Sequence, residues 1–203
     1  MKNLNIEIPS VAEVERCLKI WHESPKYEKY RHQERSVRML FKQFPMNTEI
    51  EEVLVKVCVL NKFYSTGIPD VLELPVAQHI KELKIDDSLA HADVEIIDKI
   101  ARVTTKEKVR RFYSFATKYC CHHRIDDYPI CDSLVREGLK YFRDKEKFYK
   151  FKNIDLMHYE TFKKIILEFR KCYGLDGFCL RELDLYLWVL GKEKYNETNL
   201  ENE

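Results

Sequence analysis

Residues 112–135 read Phe112-Tyr-Ser-Phe-Ala-Thr-Lys118-Tyr-Cys-Cys-His-His-Arg124-Ile-Asp-Asp-Tyr-Pro129-Ile-Cys-Asp132-Ser-Leu-Val135. The order is a lysine inside a helical run, a turn, and Pro-x-x-Asp at the start of another helix. Thr104 or Thr105 caps the first run, which ends between Arg124 and Pro129. Asp132 or Ser133 then caps a helix through Leu134, Val135, Leu139 and Phe142. Neither side of the turn alternates in the manner of a strand.

Helical spacing continues outward in both directions. Toward the N-terminus, Asp93 to Ala101 reads as an acidic helix and Val76 to Leu83 as a short one after Pro75. Thr48-x-x-Glu51 opens a nearly all-apolar, central helix that ends near Asn61. Tyr27, Tyr30, Val37, Leu40, Phe41 and Phe44 keep the same period up to Pro45, and Ser10-x-x-Glu13 starts a first helix from about Val11 to Trp21. Toward the C-terminus, Asp155 caps a helix through Tyr159, Phe162, Ile165, Ile166 and Phe169, closed by Gly174. The last helix holds Leu180, Leu183, Leu187 and Trp188 and stops at Gly191, leaving a polar tail over 193–203. With no strand alternation, phosphate loop or internal repeat, the expectation is an all-α protein: one unit over 1–192, divisible into two lobes.

Composition agrees. The chain of 203 residues is 45% hydrophobic and 12% aromatic, enough for a real core. Its 5 Gly and 6 Pro argue against turn-rich β architectures. The start, Met1-Lys-Asn-Leu-Asn, lacks the apolar run of a signal peptide, and Lys56 interrupts the most apolar internal stretch, so a cytoplasmic protein without membrane contact is expected. Seven cysteines without Cys-x-x-Cys spacing read as reduced, mostly buried thiols. Cys120-Cys121-His122-His123 projects its side chains about 100° apart on a helix and does not converge on one ion. Neither a metal nor another cofactor is called for.

Charge is balanced overall, at 35 Lys+Arg against 34 Asp+Glu, but not locally. Lys106, Lys108, Arg110, Arg111, Lys118 and Arg124 face one acid, Glu107. A second basic segment, Lys140 to Lys152, is interleaved with Tyr141, Phe142, Phe148, Tyr149 and Phe151. Such clusters suit phosphates, because each neutralised phosphate releases counterions; otherwise they are solvated helix faces.

Phe112 to Lys118 resembles the hairpin-plus-lysine segment of the helix-hairpin-helix DNA glycosylases, in the 8-oxoguanine DNA glycosylase branch. Pro129-Ile-Cys-Asp132 is similar to that superfamily's Pro-Val-Asp. The chain from about 15 to 192 also looks like a group of uncharacterised bacterial proteins with this fold, through Leu60-Asn-Lys-Phe-Tyr-Ser-Thr66, Phe112 to Cys120, Tyr128 to Asp132 and Leu187-Trp-Val-Leu-Gly191. The resemblance implies a two-lobed glycosylase fold acting as a monomer on damaged duplex DNA, a hydrolase and lyase of base-excision repair with an oxidised purine as one candidate base. It matches Lys118 to the catalytic lysine and Asp132 to the catalytic aspartate, and it places Asn61 where a side chain enters DNA.

That chemistry needs these residue types. A carboxylate such as Asp132 stabilises the oxocarbenium-like state of N-glycosidic cleavage, and a buried amine such as Lys118 attacks C1′ to form a Schiff base. Lys108, Arg110, Arg111, His123 and Arg124 are the expected DNA contacts; Cys121 and His122, on the helical face of Lys118, and Trp188 are the expected base pocket. Ser114 and Ala116 stand where the family's hairpin has glycines. That departure motivates two alternatives: a nucleic-acid-binding module without catalysis, or a helical interaction domain meeting a partner through Tyr141, Phe148 and Tyr149.

Overall fold

A computed structural model describes residues 6–105 and 108–200, with side chains through Lys194. It is all-α apart from one two-stranded hairpin. In chain order the elements are α1 (Val11–Glu23), α2 (Glu28–Gln43), α3 (Ile50–Tyr64), α4 (Glu73–Leu83), α5 (Asp86–Ala90), α6 (Glu95–Ala101), β1 (Arg102–Thr104), β2 (Val109–Arg111), α7 (Tyr113–His123), α8 (Ser133–Glu146), α9 (Tyr159–Cys172) and α10 (Leu180–Leu200). Among the described residues no helix is long and apolar enough to cross a membrane. The contacts divide the chain into two units, one of Lys29–Tyr128 and one of Met1–Glu28 with Pro129–Glu203.

In the unit formed by the two ends of the chain, α10 packs against α1, α8 and α9. Its Leu183, Tyr186, Leu187, Val189 and Leu190 are buried, which is what a helix surrounded by others requires. Gly191 does not stop this helix. A Cβ at Gly191 would stand 3.1 Å from Leu134 Cβ, and one at Gly138 3.1 Å from Leu187 Cδ2, so the glycines let α8 and α10 approach closely. The packing offsets the poor helix propensity of glycine, and α10 continues through residue 193, where the expected tail begins. Glu193 accepts hydrogen bonds from Lys26 Nζ at 2.8 Å and Tyr27 Oη at 2.6 Å.

Two further expectations change here. Asp155 caps no α-helix; it accepts from Lys152 N at 2.7 Å in a 3-10 turn, Asn153–Met157, and α9 starts after it. Phe148, one of the aromatics expected to meet a partner, is half-buried by intramolecular packing. It packs on Phe169 at 5.3 Å and Tyr173 at 6.0 Å, centroid to centroid, beside buried Phe142.

In the other unit, α3 packs on α4 and α7, and α6 on α7. Thr48 forms no capping box, since α3 starts from Glu49 without a side-chain cap, and it runs past Asn61 to end at Ser65 in the left-handed region (φ 49°). Pro75 lies in the first turn of α4, where its missing N–H has no intrahelical partner to lose. The helix expected from Thr104 or Thr105 starts only at Tyr113. Residues before it form the β1–β2 hairpin, with Arg102 opposite Arg111, Val103 opposite Arg110 and Thr104 opposite Val109. Thr105 is its turn residue: its N–H and Oγ1 donate to Lys108 O at 3.0 and 2.7 Å. Lys106 and Glu107 lie outside the described residues.

Candidate functional site

Helix α7 carries the densest chemistry. Ser114, Lys118 and His122 recur every four residues and so share one face. Lys118 is buried, 4% exposed, although lysine is a residue of surfaces. Its Nζ donates to Ser114 Oγ at 2.6 Å and stands 5.8 Å from the centre of the Tyr64 ring. Tyr64 Oη and His122 Nε2 are hydrogen-bonded at 2.9 Å. A buried amine is thereby grouped with a hydroxyl, a phenol and an imidazole. The sequence marked Ser114 only as a departure from the family's glycine and Tyr64 only as part of a shared motif, neither as a site residue; Tyr64 joins the site because α3 runs one turn further than its pattern suggests.

Under the same helix lies a polar network that sequence reasoning also missed. Lys56 is completely buried and donates to Phe44 O at 3.0 Å, Met46 O at 2.7 Å and Asn47 Oδ1 at 2.8 Å. Tyr119 Oη also donates to Asn47 Oδ1, and Asn47 donates through N and Nδ2 to Asp86 at 3.1 and 2.6 Å. Burial lowers the Lys56 ammonium to about 8, opposed by the charges of Asp86 and Glu52. The one signal was a lysine inside the Val53–Leu60 apolar run.

His123 faces this network. It packs on Phe41 at 4.8 Å and Tyr119 at 5.2 Å, and burial, with help from Lys56 and His122, lowers it to about 3. A ring held this far below the ordinary imidazole value stays neutral at physiological pH, so the DNA contact expected of it would be made without a charge. The unfolded chain takes up a proton near 6.5 that the folded ring accepts only near 3, so stability falls as pH drops through that window. Between about pH 7 and about pH 5 wild type is expected to lose about 2 kcal/mol relative to His123→Phe. Urea unfolding at both pH values measures it, and equal losses in the two proteins would show that the ring is not held neutral.

Asp132 belongs to the other unit. Its Oδ1 accepts from Val135 N at 3.0 Å, so it is the α8 N-cap, half-buried. The loop leading to it is pinned from behind: Tyr159 Oη donates to Pro129 O at 2.9 Å, Ile130 N to Asp184 Oδ2 at 2.7 Å, and Cys131 Sγ to Leu156 O at 3.6 Å. Asp184 is paired with Arg181. Burial pushes the Asp184 carboxyl up to about 7 against the pull of Arg181 and of the Ile130 N–H.

The remaining expected site residues disperse. Asn61 lies inside α3; its Nδ2 donates to Ile68 O at 2.7 Å and Glu73 at 2.8 Å, while Oδ1 accepts from Thr66 and Ile68 N. That amide organises the α3–α4 connection and does not project from a helix end. Arg124 pairs with Asp127 and donates to Ala90 O. Cys121 is packed into the interior, and Trp188 meets Trp21 edge-on at 5.6 Å and Tyr27 at 5.7 Å in the unit without Lys118. Lys108 and Arg111 are exposed on the hairpin and Arg110 is half-buried there. The segment that resembles the family's hairpin, Phe112 to Lys118, is helical from Tyr113 onward, with Ser114 and Ala116 where the family has glycines. Among the described residues no three His, Cys, Asp or Glu side chains stand together as a metal site.

A family model, HI_0787_N, described as an N-terminal domain, matches residues 13–127. That span includes Lys118, Ser114, His122 and Tyr64 and stops short of Asp132. An uncharacterized protein of Haemophilus influenzae (strain ATCC 51907 / DSM 11121 / KW20 / Rd) is 43% identical over 148 residues, covering 72% of this chain and 70% of that protein. No solved structure matches.

Proposed function

The chain belongs to the HI_0787_N family, and from the resemblance of residues 112–132 to the glycosylases, together with the burial of Lys118, we propose that it is a base-excision DNA glycosylase with abasic-site lyase activity, Lys118 supplying the amine. The observation that carries this reading is the burial of Lys118 beside Ser114, Tyr64 and His122. A lysine drawn from its usual surface position into a setting of hydroxyl and aromatic groups is the kind of titratable group that clusters at functional sites. In the lyase step the neutral amine adds to C1′ of an abasic sugar and water leaves, giving an imine. Tyr64 and His122 are within one hydrogen bond of each other and stand ready to exchange protons during that dehydration. The part assigned to Asp132, stabilising positive charge on the sugar, comes from the resemblance.

The test incubates wild type and Lys118→Gln with duplexes containing 8-oxoguanine, uracil or an abasic site under borohydride. Wild type is expected to give a covalent complex on a denaturing gel and Lys118→Gln none. Equal trapping by both proteins sinks the role of Lys118. The second reading, a nucleic-acid-binding module without catalysis, is favoured by Ser114 and Ala116, which stand in helix α7 at the positions of the family's hairpin glycines. It predicts salt-sensitive binding with neither trapping nor base release.

A further inference from the structure

The proposed lyase needs a surface that holds DNA, and the segment with Ser114 and Ala116 in place of the family's hairpin glycines is helix from Tyr113 onward. Basic residues gather instead on the connection between α6 and α7. In the β1–β2 hairpin Arg102 stands directly opposite Arg111, both exposed, and Lys108 is exposed at the start of β2. Arg111 is pre-oriented by Asp98 at 2.6 Å and by the Tyr113 ring, 4.4 Å from its guanidinium carbon. Among the described residues Arg102, Lys108 and Arg110 enter no ion pair.

Like charges directly opposite in an antiparallel ladder repel, so the free hairpin is held at a cost that an anion between the strands would remove. Asp98 offsets one of the two guanidinium charges and leaves the other. The partner is a polyanion and not an acidic protein surface, because Val109, 62% exposed, is the one large apolar side chain exposed on the described strands, and protein interfaces need an apolar core. We propose that the Arg102–Arg111 ladder, with Lys108, is the phosphate-binding surface of this unit and straddles the backbone of duplex DNA. This rests on the nucleic-acid reading above and deepens it: it assigns backbone contact to Arg102 and to the hairpin, and withdraws it from His123.

The experiment measures binding of a fluorescent duplex across a salt series for wild type, Arg102→Gln, Lys108→Gln, the double variant and Lys19→Gln, an exposed lysine of α1 in the other unit. Each hairpin substitution is expected to weaken binding and to flatten the slope of log affinity against log salt by about 0.9, and the double variant by about twice that. Lys19→Gln is expected to leave the slope unchanged, and Arg102→Gln to melt no earlier than wild type, because a repulsion is relieved. A double variant with the wild-type slope, an equal effect from Lys19→Gln, or a wild type that binds an acidic peptide but no duplex overturns the proposal. Imine trapping reports separately: hairpin-dependent binding without trapping removes the lyase and keeps the hairpin, and trapping with an unaltered hairpin slope does the reverse.

Discussion

Asp184→Ala is expected to destabilise the protein by about 3–5 kcal/mol, because the buried guanidinium of Arg181 loses this carboxylate. Asp184 is 1% exposed and Arg181 9%, so water does not take over the guanidinium. The Ile130 N–H loses its acceptor as well, and the loop from Pro129 to Asp132 loses one of its three ties. Asp184→Asn is expected to cost less, since an amide oxygen still accepts from Ile130. Urea unfolding at about pH 7 compares the three proteins. An alanine variant within 1 kcal/mol of wild type would show that neither the pair nor the loop depends on this carboxylate.

Lys56→Ala is the second large loss, about 3–5 kcal/mol, composed of a cavity where the side-chain stem was, the carbonyls of Phe44 and Met46 deprived of this donor, and Asn47 Oδ1 left with Tyr119 Oη. The ammonium also stands 5.5 Å from the Phe41 ring and 5.7 Å from that of Tyr119, so truncation loosens the packing of α2 and α7 on α3. Lys56→Met separates the two contributions. It keeps the volume and removes the hydrogen bonds, and a loss of about 1–3 kcal/mol is expected from the orphaned carbonyls alone. A methionine variant as stable as wild type would mean that relief of charge burial cancels the lost bonds.

Both predictions concern residues that the sequence did not single out, and the reason is common to them. Asp184 sits one helical turn from Arg181 and looks like a surface pair, and Lys56 looks like an interruption of an apolar run. Their importance comes from backbone groups of Ile130, Phe44 and Met46, which no side-chain pattern records. Lys118 shows the same limit from the other direction. Its position in the chain drew notice through the resemblance, whereas its burial and its contacts with Ser114 and Tyr64 depend on how far α3 runs and how α7 packs.

The helices themselves were legible because their cause is local. Apolar residues at helical spacing, with Ser10 and Asp132 bonding the amides of Glu13 and Val135, specify α1 and α8 without reference to the rest of the chain. All-α character and the positions of most helices therefore follow from sequence alone. Ends and exceptions did not. Gly191 reads as a stop until Leu134 packs against it, Thr105 reads as a cap until Lys108 closes a turn on it, and His123 reads as a DNA contact with nothing to record its packing on Phe41. At Gly191 the local preference amounts to about 1 kcal/mol and packing outweighs it, and at His123 desolvation decides; Leu134 and Phe41 become neighbours of these residues only in the folded chain.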